Sequence, residues 1–343
     1  MWAASVRRRL LPPREALMEM ATAIWPALAL RAMVKTGLAG RLAQQPADAG
    51  ELAAELQLHA ASVRRLLRFL AGFDIVREGR DRRFALTRIG GQLASGNRDN
   101  AAAFIEYIGA PWQIEPWVHL DQTVRSGEPA FEQLHGMRFF DYGIAHPEAG
   151  ALFDAAIGAV ATLHADAVAR GYNFSSRSPI ADVGGGSGVV LATILERYPH
   201  ASGILFDLPE TIERARAQLT PFGGRIAFET GSFFKTAPRG AGAYVLSHIL
   251  HDWDDEHALR ILRTIRNTMS ARSRVLIVES VLDAAVNRWD AGLLTDMQMM
   301  IVLGGKERTR EEFRSLLSAA GMRLLRIIPT SAPESILEAE PIP

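Results

Sequence analysis

The chain has 343 residues, enough for about two domains. Thirty-eight basic side chains balance thirty-eight acidic ones, which argues against a nucleic-acid coat or a polybasic membrane binder. There is no cysteine, so disulfides, thiolate metal centres and a cysteine nucleophile are excluded, and 48% hydrophobic residues supply a sizeable core.

The richest apolar stretch, residues 21–34, is interrupted by Pro26 and Arg31. No uninterrupted run reaches the eighteen or so apolar residues of a membrane span. Arg7, Arg8 and Arg9 are followed by only Leu10 and Leu11 before Pro12 and Pro13, which is no export-signal core. The expectation is a cytoplasmic protein with neither a membrane nor a nucleic-acid partner. Residues 1–110 carry sixteen basic and ten acidic side chains, against 22 and 28 in residues 111–343. Such a shift accompanies a change of domain, and the reading is an N-terminal domain over 1–99 and a second region over 100–343.

Residues 14–45 read as helical. Leu17, Met18, Met20, Ala21, Ile24, Leu28, Leu30, Met33 and Val34 cover more than one face. Such a helix is buried on several sides, in a core or at a subunit interface. Residues 51–95 read helix, turn, helix and hairpin, with Ser62 as N-cap of the second helix. That is a winged-helix pattern. One reading is DNA binding, with Arg64, Arg65, Arg68, Arg80, Arg82 and Arg83 on phosphates. The other is a scaffold with those arginines on a solvated face, which the catalytic-looking region that follows favours.

Residues 100–172 read as a mostly helical connector, dense in aromatics such as Trp117, Phe131, Phe139, Phe140, Tyr142 and Phe153. Each reads as core, and as a group they could wall a pocket for a flat ligand. From residue 179, short β-branched runs at 179–183, 203–207, 226–229, 243–247 and 274–280 alternate with helical periods at 189–198 and 255–269. The alternation predicts an α/β fold with a mainly parallel sheet covered on both faces. Runs at 323–328 and 335–338 flank a Pro-rich turn and predict a closing hairpin.

The strongest local signal is Asp182-Val183-Gly184-Gly185-Gly186-Ser187-Gly188, after a strand and before a helix. Ligands bind such sheets at the carboxyl ends of the strands. A dinucleotide site would want glycine at 184, 186 and 189, but Val189 stands at the last. The acidic-x-Gly-x-Gly-x-Gly form instead resembles the S-adenosylmethionine loop of Rossmann-like methyltransferases. Asp207 ends the second strand, where a carboxylate can accept ribose hydroxyls or cap the next helix. Gly231-Ser232-Phe233-Phe234 follows the third strand, and Phe233 either stacks on adenine or fills core. His251-Asp252-Trp253-Asp254-Asp255-Glu256 follows the fourth. Its carboxylates fit a helix N-terminus, and His251 lies on the ligand side. The histidines form no His-x-x-x-His pair backed by a third ligand, so no metal is expected.

Together with Glu51-Leu52-Ala53, Arg65-Leu66-Leu67-Arg68, Phe206-Asp207-Leu208-Pro209 and Gly305-Lys306-Glu307-Arg308-Thr309, these motifs resemble the S-adenosylmethionine-dependent small-molecule O-methyltransferases. This family spans caffeate-type, hydroxyindole and bacterial antibiotic-tailoring enzymes. The resemblance implies a Rossmann-like catalytic domain behind a winged-helix-like dimerisation domain, a homodimer, and an aromatic small-molecule acceptor. S-adenosyl-L-methionine would be converted to S-adenosyl-L-homocysteine. It implies that Asp182, Gly184, Gly186, Asp207, Leu208, Gly231, Ser232 and Phe233 hold the cofactor, with Ser247 or His248 near the sulfonium. His251 matches the general base, and Glu279 and Glu307 match the carboxylates that orient it. Phe153, Ile157, Trp253, Met297 and Met300 match acceptor-pocket positions. Ser232 and Gly242 each stand where an aspartate is common, and Ile157 where methionine is common. Rival readings are N- or C-methylation, decarboxylation or hydroxylation on the same fold, a winged-helix small-molecule sensor, and a nicotinamide dehydrogenase.

Overall fold

A computed structural model of the chain describes residues 10–94, 101–282 and 290–343. Arg7, Arg8 and Arg9 lie outside the described residues. The chain divides into two compact units, one running to Ile114 and including Ala155–Ala159, the other holding Glu115–Asp154 and Val160–Pro343.

In the first unit the long helical stretch is three helices: α1 (Pro13–Ala21), α2 (Ile24–Lys35) and α3 (Leu38–Gln44). Then come α4 (Ala49–Leu56), α5 (Ala60–Ala71), the strands β1 (Val76–Glu78) and β2 (Phe84–Leu86), and α6 (Ala102–Ile108). Asp48 starts α4 through a capping box: its side chain accepts from Gly50 and Glu51 N–H, while Glu51 accepts from Asp48 N–H. Ser62 does not cap α5, which begins after His59; its hydroxyl pairs with the His59 ring instead. Met33, Leu38, Leu42, Leu52, Val63, Leu67, Leu70 and Phe84 form the core. Arg64 and Arg68 pair with Glu78, and Arg83 with Glu51, so half of the six arginines are already engaged.

The first helices do not take the core alternative. Only Met33 of α1 and α2 is buried, while Leu17 is 68% and Trp25 60% exposed. Among the described residues, nothing covers the apolar face of this segment. By length and composition alone, Pro13–Lys35 and Pro147–Gly171 also pass as membrane-crossing helices. A core helix, or one covered by a second subunit, passes the same test.

The second unit starts in α7 (Pro111–Val118) and continues through α8 (Leu120–Ser126), α9 (Ala130–His135), α10 (Phe139–Ala145) and α11 (Pro147–Gly171). The α/β region follows: β3 (Ile180–Val183), α12 (Val189–Arg197), β4 (Gly203–Asp207), α13 (Pro209–Leu219), β5 (Ile226–Thr230), β6 (Ala243–Ser247), α14 (Asp255–Arg266) and β7 (Arg274–Glu279). The short strand β8 (Val281–Leu282), α15 (Gly292–Val302), β9 (Arg308–Thr309), α16 (Arg310–Ala319), β10 (Met322–Pro329) and β11 (Ser335–Pro341) complete it.

Seven strands form one sheet in the order β10-β11-β7-β6-β3-β4-β5. β3 to β7 are parallel; β11 runs antiparallel to β7 and forms the expected closing hairpin with β10. Strand residues alternate between two cores. Ala181, Val183, Tyr244 and Leu246 face α14 and α16, whereas Ile180, Leu205, Val245 and Leu276 face α11 and α12. Burial on both faces explains why these strands read as unbroken apolar runs. β3 lies between β4 and β6, so strand order reverses beside it. A crevice at the carboxyl ends belongs there.

Candidate active site

Two turns leave the neighbouring strands β3 and β6 on that side. The first is the glycine loop. Its Gly186 N–H donates to Asp207 Oδ2 at 2.8 Å, and Leu208 N–H donates to Oδ1 at 2.7 Å. Asp207 therefore ties the loop to the end of β4; the N-cap of α13 is Leu208, and no side chain caps it. A side chain on Gly186 would meet nothing within 4 Å, so one side of the loop is open. Asp182 lies beneath, 1% exposed, and neither of its oxygens closes an ordinary hydrogen bond. Burial pushes its carboxyl up to about 7. An open glycine turn above an unsatisfied carboxyl fits a ligand that brings its own donors. Phe233 packs beside Gly184 and lies edge-on to Phe234 and Trp253, with Gly231 and Ser232 before it in the same loop.

The second turn, residues 250–252, carries His251, which is 5% exposed. Its Nδ1 lies 2.7 Å from Glu307 Oε1, and its Nε2 lies 3.4 Å from Asp252 Oδ1. Glu279 sits elsewhere than expected: its Oε1 accepts the main-chain N–H of Leu250 at 2.6 Å and of His251 at 3.2 Å. It holds the turn rather than the ring. Burial keeps His251 below its usual range, against the pull of Asp252 and Glu279. Burial also pushes Asp252 up to about 7 and Glu307 up to about 8. Charge is costly throughout this pocket, and the short contact between His251 and Glu307 lies inside it.

The segment 305–309 straps this turn residue by residue. A side chain on Gly305 would strike the His251 carbonyl oxygen at 2.0 Å, so only glycine lets the two backbones approach this closely. Lys306 pairs with Asp255 at 2.8 Å, and Glu307 meets the imidazole. Arg308, fully buried, donates to the carbonyls of Leu250 and Trp253 and to Asp255. Thr309 caps α16. As expected, the acidic run caps a helix: Asp254 accepts His257 N–H at the start of α14.

Of the acceptor-side candidates, Phe153 and Trp253 meet through Phe140, which stacks on Trp253 at 6.1 Å and lies edge-on to Phe153. Met297 and Met300 are half-buried on α15, whose Asp296 accepts Glu307 N–H at 2.9 Å. Ile157 belongs to the first unit and is 40% exposed.

Residues 117–323 match the model of the O-methyltransferase domain, and residues 18–96 that of the O-methyltransferase dimerisation domain. The chain is 35% identical to a phenazine O-methyltransferase (PhzM) of Lysobacter antibioticus, over 97% of both chains. The crystal structure of LaPhzM superposes with a TM-score of 0.92 at 35% identity, covering 97% of this chain and 100% of that one. The chain belongs to the O-methyltransferase family. It is also 35% identical to a mitomycin biosynthesis 6-O-methyltransferase of Streptomyces lavendulae, over 92% of this chain and 90% of the relative. Two relatives at 32% identity carry other activities in their names. One is an 8-amino-8-demethylriboflavin N,N-dimethyltransferase of Streptomyces davaonensis, over 91% of both chains. The other is an aclacinomycin 10-hydroxylase of Streptomyces purpurascens, over 87% of this chain and 81% of the relative.

Membership makes the chain an S-adenosylmethionine-dependent O-methyltransferase and gives its departures a physical setting. At Gly242 an added side chain would strike the Arg177 carbonyl oxygen at 2.6 Å. Ser232 accepts Lys235 and Thr236 N–H through its carbonyl and holds the loop by main chain alone. The motif reading assigned nothing to Arg308. It also missed a cluster. His164 on α11, His248 after β6 and Glu334 before β11 bring possible metal-ligating atoms within 4.8 Å of one another. Spacing along the chain gave no sign of it, because three separate elements supply the groups. Ser247 Oγ lies 3.3 Å from His164 Nε2, and the His248 ring is 5.0 Å from that of His251. Burial drives His164 down to about 4; it also opposes charge on His248, but Glu334 outweighs it there and the net direction is upward.

Proposed function

We propose that this O-methyltransferase methylates a hydroxyl of a planar aromatic small molecule, with His251 as general base. The observation that carries the reading is the 2.7 Å contact between His251 Nδ1 and Glu307. A proton on Nδ1 directed at Glu307 leaves Nε2 as the basic atom. A phenol has a pKa near 10, so only about 0.1% is ionised at pH 7. A histidine that takes its proton during attack contributes roughly 10²–10⁴ in rate. Glu279 fixes the main chain of the turn and Glu307 fixes the ring, which divides the orienting work between two carboxylates.

Asp182, Gly184, Gly186, Asp207, Leu208, Gly231, Ser232 and Phe233 would hold S-adenosyl-L-methionine, with Ser247 and His248 toward its sulfonium. When bound, it supplies an electrophilic methyl group and leaves as S-adenosyl-L-homocysteine. That displacement depends on alignment of the acceptor oxygen and needs no metal. Phe153, Trp253, Met297 and Met300 would wall the acceptor. The substrate names of relatives support a planar ring system: phenazine, 3-amino-4-hydroxybenzoate and 2,7-dihydroxy-5-methyl-1-naphthoate. Residues 1–99 would form the dimerisation domain of a cytoplasmic homodimer, with the exposed apolar side of α1 and α2 as its contact. Residues 100–343 would form the connector and catalytic domain.

The two relatives with other activities sustain a second reading, transfer to nitrogen or a hydroxylation on the same fold. The test incubates native protein and His251→Ala with methyl-deuterated S-adenosyl-L-methionine and a panel of phenols and aromatic amines. Labelled aryl ether from native protein, reduced at least about 100-fold in the variant, is the expected result. Equal ether from both would remove His251 as the base. Label on nitrogen alone would establish the second reading.

A further inference from the structure

The site contains two histidine–glutamate pairs of different geometry. His251 and Glu307 approach to 2.7 Å, the length of a short charge-assisted hydrogen bond. His248 Nε2 and Glu334 Oε1 stand 3.3 Å apart, and the nitrogen closes no hydrogen bond although it is buried. The second Glu334 oxygen is also buried and unpartnered, on a residue only 8% exposed. A second imidazole completes the group, with the His164 ring 4.8 Å from that of His248. A plain ion pair explains neither the poor alignment nor the second imidazole. Two ligands on one metal ion do. Zinc–nitrogen and zinc–oxygen bonds of about 2.0–2.2 Å at a tetrahedral angle place neighbouring ligand atoms about 3.4 Å apart.

We propose that His164, His248 and Glu334 form a binding site for a single transition-metal dication of the zinc class. Two imidazoles and one carboxylate suit zinc, cobalt or nickel; magnesium and calcium prefer an all-oxygen shell. Glu334 comes from the loop before β11, His248 from the turn after β6, and His164 from α11, so the ion would bridge three elements. Ser247 Oγ, 3.3 Å from His164 Nε2, is placed to hydrogen-bond that ring or to yield it to the ion. His248 keeps a left-handed backbone at φ 54°, which costs a non-glycine residue energy and aims its ring between Glu334 and His164. His248 would then hold the ion rather than face the sulfonium, and zinc uptake is measured on the protein alone, so the proposal does not rest on the methylation reading.

The test uses full-length, tag-free protein stripped with a chelator and titrated calorimetrically with zinc chloride. Cobalt(II) absorption reports coordination geometry. The expected result is one equivalent of zinc at micromolar or tighter affinity, with visible cobalt bands of a four-coordinate N/O site. His164→Ala and the milder Glu334→Gln should each weaken zinc by roughly 100-fold. His251→Ala should leave it within about threefold, since that ring is no ligand. Melting curves in S-adenosyl-L-homocysteine establish that each variant is folded. No saturable zinc uptake at micromolar concentration overturns the proposal. So does zinc that binds both ligand variants as it binds native protein, which would mark surface histidines. Equal affinity for magnesium overturns the assignment to a nitrogen-rich site.

Discussion

The two turns at the carboxyl end of the sheet are built alike and finished differently. In each, a carboxylate at the end of one strand accepts main-chain N–H groups from the turn that follows the neighbouring strand. Asp207 of β4 does this for the glycine loop after β3, and Glu279 of β7 does it for the His251 turn after β6. Beyond that they diverge. The His251 turn is closed by a second layer, with Gly305 against its backbone and Arg308 on its carbonyls. The glycine loop has open space at Gly186 and an unsatisfied Asp182 below. A turn closed by a second layer fixes a reacting side chain; an open one leaves room for a ligand. The two therefore respond differently to the same kind of damage.

The largest effect is expected at the strap. Arg308→Met leaves the Leu250 and Trp253 carbonyls without their donor and should cost about 3–5 kcal/mol of stability. Urea unfolding measures it, and methyl transfer by the folded fraction should fall as the turn loosens. A loss below about 1 kcal/mol would mean that water replaces the guanidinium and that the turn is not closed. Next is Glu279→Ala, which strips the acceptor from two buried N–H groups at about 1–3 kcal/mol each. Glu279→Gln keeps an acceptor oxygen in place and should lose less than half as much. If the two variants lose equally, the negative charge rather than the hydrogen bonding holds the turn.

At the glycine loop the loss should move from stability to affinity. Asp207→Ala removes the acceptor of Gly186 and Leu208 N–H at a site open to solvent on one side. Unfolding should shift by about 1 kcal/mol, whereas S-adenosyl-L-homocysteine affinity should fall roughly 10- to 100-fold. Calorimetry on the folded variant reads the second number. Unchanged affinity with a large stability loss would make the glycine loop another closed turn.

The sequence announced these two turns unequally. Strand periods, the glycine run and Asp207 are local patterns, and all five expected parallel strands begin and end within a residue of their predicted limits. His251 and Glu307 were legible only through the order and spacing of distant motifs. That Glu279 holds the main chain and not the ring was not legible, because residue type does not say which atoms of a neighbour it meets. Arg308 escaped for the same reason: its partners are carbonyls 55 and 58 positions away in sequence. α1 and α2 were read as buried on several sides from composition, yet a single chain leaves Leu17 and Trp25 open. Apolar periodicity reports that a face needs covering and says nothing of which molecule covers it.

The effect at Gly186 bears most directly on the comparison. Gly186 has φ 57°, a left-handed conformation that costs alanine about 1–2 kcal/mol. The added methyl would meet no protein atom within 4 Å, so unfolding of Gly186→Ala should show that backbone penalty and little else. The Asp207 contact to its N–H should survive, since it runs to the main chain. If the open side is where the cofactor lies, that methyl occupies ligand space. S-adenosyl-L-homocysteine affinity should then fall by more than the stability loss accounts for. If the variant binds it as the native protein does, the open side faces bulk water, and the difference between the two turns lies in exposure alone.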